Sequence, residues 1–438
     1  MINFATYHRL LDQVNPIRIY GKVSEIVGLV VEGHGPAASI GELCGIFPAG
    51  EAGQPLPAEV VGFKKGKVLL MPLQSIQGLS PGCKIMSLGR KASVNVGEKL
   101  LGRVIDGLGN PIDNKGPLEC EIEYPIYADP INPLMRGRIT EPVDLGIKAL
   151  NGILCCGKGQ RMGIFAGSGV GKSILLGMMA RNTNADVNVI GLIGERGREV
   201  REFLEKNLGK EGLARSVVVV AGSDMHPLIR MRAAYVATSI SEYFRDLGKN
   251  VLLMVDSLTR FAMAQREIGL SVGEPPTAKG YTPSVFSILP KLLERSGIME
   301  EGGSITGLYT ILVEGDDFNE PIADSARSIL DGHIVLDRDL ASKNHYPAID
   351  VLRSISRVMI DIADEEHRQL ASKIINILAI YKKAEDLINI GAYVNGSNSE
   401  IDYAIKMIQP VNAFLKQGIN EKIDFNQTKV QMRDLFSA

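Results

Sequence analysis

The chain has 438 residues, 45% hydrophobic and 22% charged, with a net charge of −2. That length allows two or three domains around a large core, and the near-balanced charge gives no electrostatic reason to expect a nucleic-acid or membrane-surface binder. Five cysteines, Cys44, Cys83, Cys120, Cys155 and Cys156, odd in number and without a C-x-x-C, argue against a disulfide framework or a zinc site and for reduced, buried thiols.

The opening residues MINFATYHRLLDQV lack a basic region followed by a long apolar core, so no signal peptide is expected. No apolar run reaches about 18 residues, so no transmembrane helix is expected, and the expected location is the cytoplasm. Phe4, Tyr7, Leu10, Leu11 and Val14 are spaced for a short amphipathic helix over 1–14, either a frayed terminus or a docking element for a partner. Residues 17–90 change character. Short β-rich runs (IRIYGKV, IVGLVVE, AEVVGF, KVLLMPL) alternate with turn clusters, which predicts a small β-barrel domain. Lys64, Lys65 and Lys67 cluster there, but with few aromatics between them they read as a solvated hairpin tip.

Residues 91–150 connect this barrel to a core of alternating strands and helices. GRVIDGLGNPID carries turn signals at Asp106-Gly107 and Asn110-Pro111. YPIYADPINPLMRGRITEP reads as an ordered Pro-rich strap. The alternation runs from 151 to 360. Apolar strands are predicted at 187–193, 216–220, 251–255 and 305–313, with helices at 227–247, opened by Pro227, and at 284–295. Near-continuous β-branched runs suit a parallel sheet covered on both faces. IGLSVGEPPTAKGYTP, 268–283, reads as a long irregular loop of functional use. Residues 361–438 read as helical. Leu370, Ile374, Ile377, Leu378 and Tyr381 form one stripe, ended by Gly391. Ser399 is placed to cap a second helix, which Pro410 kinks or restarts and Gly418 ends.

The sharpest signal is RMGIFAGSGVGKSILLGMMAR, residues 161–181. An apolar strand enters a turn of small residues, Ala166-Gly167-Ser168-Gly169-Val170-Gly171, and a helix begins at Lys172-Ser173. This is the order of a phosphate-binding loop. Its glycines let backbone N–H groups curl around an anion, and the helix aims its free N–H groups at the same point. Lys172 then reaches the β- and γ-phosphates, and the Ser173 hydroxyl serves Mg²⁺. Ala166 replaces the glycine usual at the first position; a small residue still fits the turn. Asp256 ends the strand VLLMVD and is placed to hold Mg²⁺. Glu195, in IGERGRE, ends another strand and either activates the attacking water or pairs with Arg196 or Arg198. Tyr346, Asp350, Arg353 and Arg357 lie far downstream. An arginine there either stabilises transition-state charge on a neighbouring subunit's nucleotide or forms a structural ion pair.

AGSGVGKS, GLIGERGREV, VDSLTRFAMAQREIG, VEGDDFNEPIADSARSILDGHIVLDR and HYPAIDVLRSISRVM together closely resemble the flagellar-type protein-export ATPases, relatives of type III secretion ATPases and of the catalytic subunit of rotary ATP synthases. The loop wording is more similar to the flagellar branch than to the virulence branch. The resemblance implies an α/β fold: a central RecA-like phosphate-loop core (91–360), the N-terminal barrel and a C-terminal helical domain (361–438). It implies an ATP- and Mg²⁺-dependent ATPase working as a homohexamer at the base of an export apparatus. Hydrolysis there would release chaperones and deliver substrates to the export gate. A central stalk protein, touching 268–283 from the ring's pore, and a regulator of the N-terminal segment are implied partners, with peripheral attachment at the inner membrane. By the same resemblance Glu195 is the catalytic carboxylate, Asp256 the metal-side aspartate, Arg357 the arginine reaching the adjacent subunit's site, and Tyr346 the ring that stacks on adenine. Three rivals stand beside this reading. A hexameric RNA translocase would need stacking aromatics in the barrel. A non-catalytic rotary subunit would lack the carboxylate at 195. A catalytic rotary subunit fits the loop wording less well.

Overall fold

The computed structural model describes residues 19–48, 54–313, 315 and 317–437; the helix expected over 1–14 lies outside them. The described residues up to Ser93, with Glu267–Pro275, make one compact unit, and those from Val94 to Arg266 and from Pro276 onward make a second.

In the first unit six antiparallel strands close into a barrel, in the order β1-β2-β5-β4-β3-β6. They are β1 (Tyr20–Val27), β2 (Val30–His34), β3 (Glu42–Phe47), β4 (Leu56–Lys64), β5 (Lys67–Pro72) and β6 (Lys84–Lys91). Side chains alternate across each strand, which puts Val23, Val31, Ile46, Val60, Leu70 and Ile85 in one enclosed core. Closure leaves no free sheet edge. The lysine cluster sits on the β4–β5 hairpin, where Lys64 faces Lys67 across a two-residue turn. Lys67 pairs with Glu32 at 2.9 Å, so part of its charge is already matched.

The second unit is built on a sheet running β14-β13-β8-β12-β11-β9-β10-β7. Its strands are β7 (Val104–Asp106), β8 (Arg161–Ala166), β9 (Val187–Glu195), β10 (Ser216–Gly222), β11 (Asn250–Asp256), β12 (Ser304–Leu312), β13 (Gly332–Leu336) and β14 (Ile349–Ser356). All neighbours are parallel except β13 and β14. Parallel strands need helical crossovers that cover both faces, among them α1 (Lys172–Asn182) and α2 (Pro227–Asp246); β9 is accordingly buried from Val187 through Gly194. The fold class read from the sequence is the one observed.

Three local readings need correction. Strand β7 lies in the stretch read as turns. Three residues are too few for a periodicity signal, and pairing with β10 makes the strand. Its end is the expected turn, with Asp106 Oδ1 accepting from the N–H groups of Leu108 and Asn110, both at 2.8 Å. Helix α3 (Leu258–Val272) runs into the stretch 268–283 read as loop. It tolerates Gly269 at a cost of about 1 kcal/mol because the burial of Phe261, Ala264 and Ile268 carries it. The helical tail has three helices: α4 (Glu365–Asn389), α5 (Ser399–Leu415) and α6 (Phe425–Asp434). Asn398, not Ser399, caps α5, accepting from Glu400 N at 2.9 Å, and Pro410 lies within a helix that continues to Leu415. Helix α6 carries a capping box, Asp424 with Gln427, a D-x-x-Q signal legible in the sequence. Leu370, Ile374, Val411, Phe414 and Met432 of this tail share one hydrophobic core with strands β8 and β11.

Candidate active site

The carboxyl ends of the parallel strands form the edge where open α/β sheets bind ligands. Strand β8 stops at Ala166, the small residues turn, and helix α1 (Lys172–Asn182) begins. Gly171 caps it with φ 90°, a left-handed conformation costly for any residue with a Cβ. Gly167 and Val170 are buried, whereas Ser168, Gly169 and Ser173 are exposed. The loop therefore presents one side to solvent and anchors the other in the core.

Three charged groups converge beside it. Lys172 Nζ forms an ion pair with Asp256 Oδ1 and lies 3.6 Å from Glu195 Oε1. Asp256 ends β11 and is buried; its Oδ1 also accepts from the Thr310 hydroxyl at 2.6 Å. Thr310 belongs to β12, the strand lying between β8 and β11. Glu195 ends β9, next to β11. A register shift after Ile193 turns it inward, and Gly194 makes the shift possible. Its φ is +70°, and a Cβ there would lie 2.9 Å from the Cβ of Arg260.

The ion pair foreseen between Glu195 and Arg196 or Arg198 does not form. Arg196 lies 3.6 Å from Glu199 instead, and Glu195 faces Lys172. Burial, the charge of Asp256 and a hydrogen bond with Glu199 push the Glu195 carboxyl up to about 7, against the pull of Lys172. One lysine is shared between two carboxylates, and Glu195 holds its proton more tightly than an ordinary carboxyl does.

Tyr346 is brought to the same place from far along the chain. A Cβ on Gly171 would lie 3.4 Å from its ring, and its carbonyl accepts from Gln417 N at 2.9 Å. The ring is partly exposed beside the loop. Arg357 is not brought there. Strand β14 runs antiparallel to β13, with Ile349 opposite Leu336 and Ser356 opposite Gly332, while Leu336 lies beside Ala166. Arg357 therefore follows the end of β14 farthest from the loop, roughly 15–20 Å along the sheet, with its side chain exposed. Arg353 is engaged within its own chain. It lies 3.6 Å from Asp337 and over the ring of Phe318, 4.2 Å from its centroid.

Sequence reasoning missed Thr310, Glu199 and Arg260. The buried Nε of Arg260 makes no hydrogen bond among the described residues. None of the three carries a motif signal beyond proximity to one, since packing alone selects them.

A phosphate loop, a buried strand-tip aspartate and a second strand-tip carboxylate, all on one parallel edge, define a phosphate-loop nucleoside triphosphatase. The ATP synthase alpha/beta family models match twice, the nucleotide-binding domain over 146–356 and the beta-barrel domain over 23–89. The T3SS EscN ATPase C-terminal domain matches 363–434. The flagellum-specific ATP synthase of Bacillus subtilis is 54% identical over 417 residues, 94% of each chain. The type 3 secretion system ATPase of Xanthomonas euvesicatoria is 52% identical over 425 residues, covering 97% of this chain and 96% of that one. The assembled ATPase EscN of the enteropathogenic E. coli type III secretion system superposes with a TM-score of 0.90 at 46% identity, over 95% of this chain and 99% of that one. EscN has also been solved in complex with its central stalk EscO, with a TM-score of 0.87. The chain belongs to the family of flagellum-specific and type III secretion ATPases. No helix among the described residues is long and apolar enough to cross a membrane.

Proposed function

We propose that this ATPase hydrolyses Mg-ATP at sites shared between subunits of a homohexameric ring, driving flagellar or type III protein export. The observation that carries the site is Lys172 held between Asp256 and Glu195 at the mouth of the loop. The donor set suits the expected ligands. Backbone N–H groups of Gly167 to Gly171 and the Lys172 ammonium receive phosphate oxygens. The Ser173 hydroxyl and the Asp256 carboxylate are oxygen donors of the kind Mg²⁺ takes, usually one or two from protein and the rest from phosphate and water. When bound, the metal neutralises charge developing on the phosphate oxygens. Glu195, poised near neutral pH, accepts the proton of the attacking water or orients it. Tyr346 stacks on the base. Arg357, too far from its own loop, serves the neighbour's nucleotide.

The ring follows from that last assignment and from the similarity to an assembled relative. A stalk protein in the pore is supported by the relative solved with its stalk. Chaperone release, delivery to an export gate, an N-terminal regulator and peripheral attachment at the membrane complete the reading. Specific ATPase activity measured against protein concentration tests it. A steep rise over the assembly range is expected; constant specific activity down to monomeric chains would rule out shared sites.

A further inference from the structure

At the end of the sheet opposite the loop, Arg161 and Asp331 are locked together. Arg161 opens β8, the strand whose other end becomes the phosphate loop. Its Nε and Nη2 donate to Asp331 Oδ2 and Oδ1 at 3.0 and 2.9 Å, and its backbone N–H donates to Oδ2 at 3.0 Å. The Asp331 N–H returns a bond to the Arg161 carbonyl at 2.9 Å. Arg161 also pairs with Glu294. This two-toothed arginine–carboxylate contact fixes orientation as well as distance.

Asp331 is in turn the seat of Arg357. Its carbonyl accepts from the Arg357 backbone N–H at 3.1 Å and from Gln160 Nε2 at 3.2 Å. Gln160 Nε2 also reaches the hydroxyl of Ser356, at 3.2 Å, and that hydroxyl donates to the Cys155 carbonyl at 2.6 Å. The backbone of 356–357 is therefore held from two sides. Among the described residues the Arg357 guanidinium makes one long bond, 3.4 Å to the Arg327 carbonyl. A well-fixed base carrying a weakly held planar fork is what a group reaching out of its own subunit requires.

We propose that Asp331, clamped by Arg161, is the positioning residue that sets Arg357 for the neighbouring subunit's nucleotide. One strand thus connects a subunit's own phosphate loop, at one end, to the arginine it lends, at the other. The inference rests on the trans role of Arg357 proposed above.

Mixed rings of full-length chains test it. Asp331→Asn subunits keep their own Lys172 and Glu195 but lose the carboxylate clamp. Alone they should turn over Mg-ATP about 10²-fold more slowly, the scale of a small misplacement of a reacting group, with little change in KM, as for an interaction made only in the transition state. Mixed with Lys172→Ala subunits, which carry an intact Arg357, they should recover activity. Mixed with Arg357→Ala subunits they should not, because neither chain then lends a placed arginine. Recovery in that second mixture, or wild-type turnover by Asp331→Asn alone, overturns the proposal, since the fault would then lie in the subunit's own loop or nowhere. The pair Arg357→Ala with Lys172→Ala is the control. If tagged pull-down shows mixed rings and this control stays inactive, the trans reading fails first and takes the inference with it. If Asp331→Asn chains do not enter rings, Arg161→Lys carries the same crosses. It keeps the charge and loses the fork, and the same one-sided pattern is expected with a smaller loss; a symmetric pattern rejects the proposal.

Discussion

The two ends of the central sheet handle charge in opposite ways. At the amino end of β8, two arginines, Arg161 and Arg136, meet two carboxylates, Asp331 and Glu294. Burial works against the Arg161 guanidinium, but its bonds to Asp331 and Glu294 more than offset that, so its charge is firmly held. At the carboxyl end, one lysine faces two carboxylates, and Glu195 is left with its proton affinity raised. Matched charge is structural there and mismatched charge is reactive. Burying an unmatched carboxylate costs stability, and a chain keeps such a cost where chemistry uses it.

The contrast can be broken first at Lys172. Lys172→Ala leaves Asp256 and Glu195 facing each other without a cation and removes the charge that meets phosphate. Turnover should vanish and ATP binding weaken sharply, as measured by nucleotide titration; turnover at the wild-type rate would remove the loop from the active site. Arg357→Ala comes next. It changes nothing at the subunit's own loop, so ATP binding should persist while turnover falls about 10³-fold, the scale of an arginine that meets transition-state charge. Single-turnover rates with saturating Mg-ATP would separate the two steps.

Glu195→Gln should retain ATP and lose hydrolysis by about 10²-fold, the low end of a lost general base. Hydrolysis that survives with binding intact would leave Glu195 a mere neighbour of Lys172. The smallest effect sharpens the comparison most. The proposed mechanism uses the carboxylate form of Glu195, whose pKa is raised to about 7, so kcat/KM should fall as pH drops through neutrality, about tenfold per unit well below it. Glu199 accepts from Glu195 and so favours its protonated form. Glu199→Gln should therefore move this acid limb to lower pH. A limb that stays in place would show that Asp256 and burial set the proton affinity alone.

The phosphate loop and Asp256 were legible because their geometry is local. A run of small residues between an apolar strand and a helix permits few backbone paths, and a strand's last residue lies at its tip wherever the strand goes. The barrel and the helical tail were legible in kind for the same reason, through periods of two and of three to four. Locality also set the errors. A three-residue strand was missed and a helix end was taken for loop because a partner elsewhere supplied the stabilisation, whereas the helix beyond Gly418 was missed although its capping box, Asp424 with Gln427, is a local signal.

What Glu195 does could not be read from its neighbours. Arg196 and Arg198 adjoin it in the chain, yet Gly194 and the β9 bulge turn it toward Lys172 and Asp256. A nucleotide-binding α/β core, its loop and the aspartate at the β11 tip are written in the order of the amino acids, since short-range sterics and hydrogen bonds dictate them. Three placements belong to the folded molecule alone: Tyr346 lies against Gly171, Thr310 braces Asp256, and Arg357 stands on Asp331 at the far end of the sheet. Each joins residues far apart in the chain, and strand order and packing, which no local pattern encodes, bring them together.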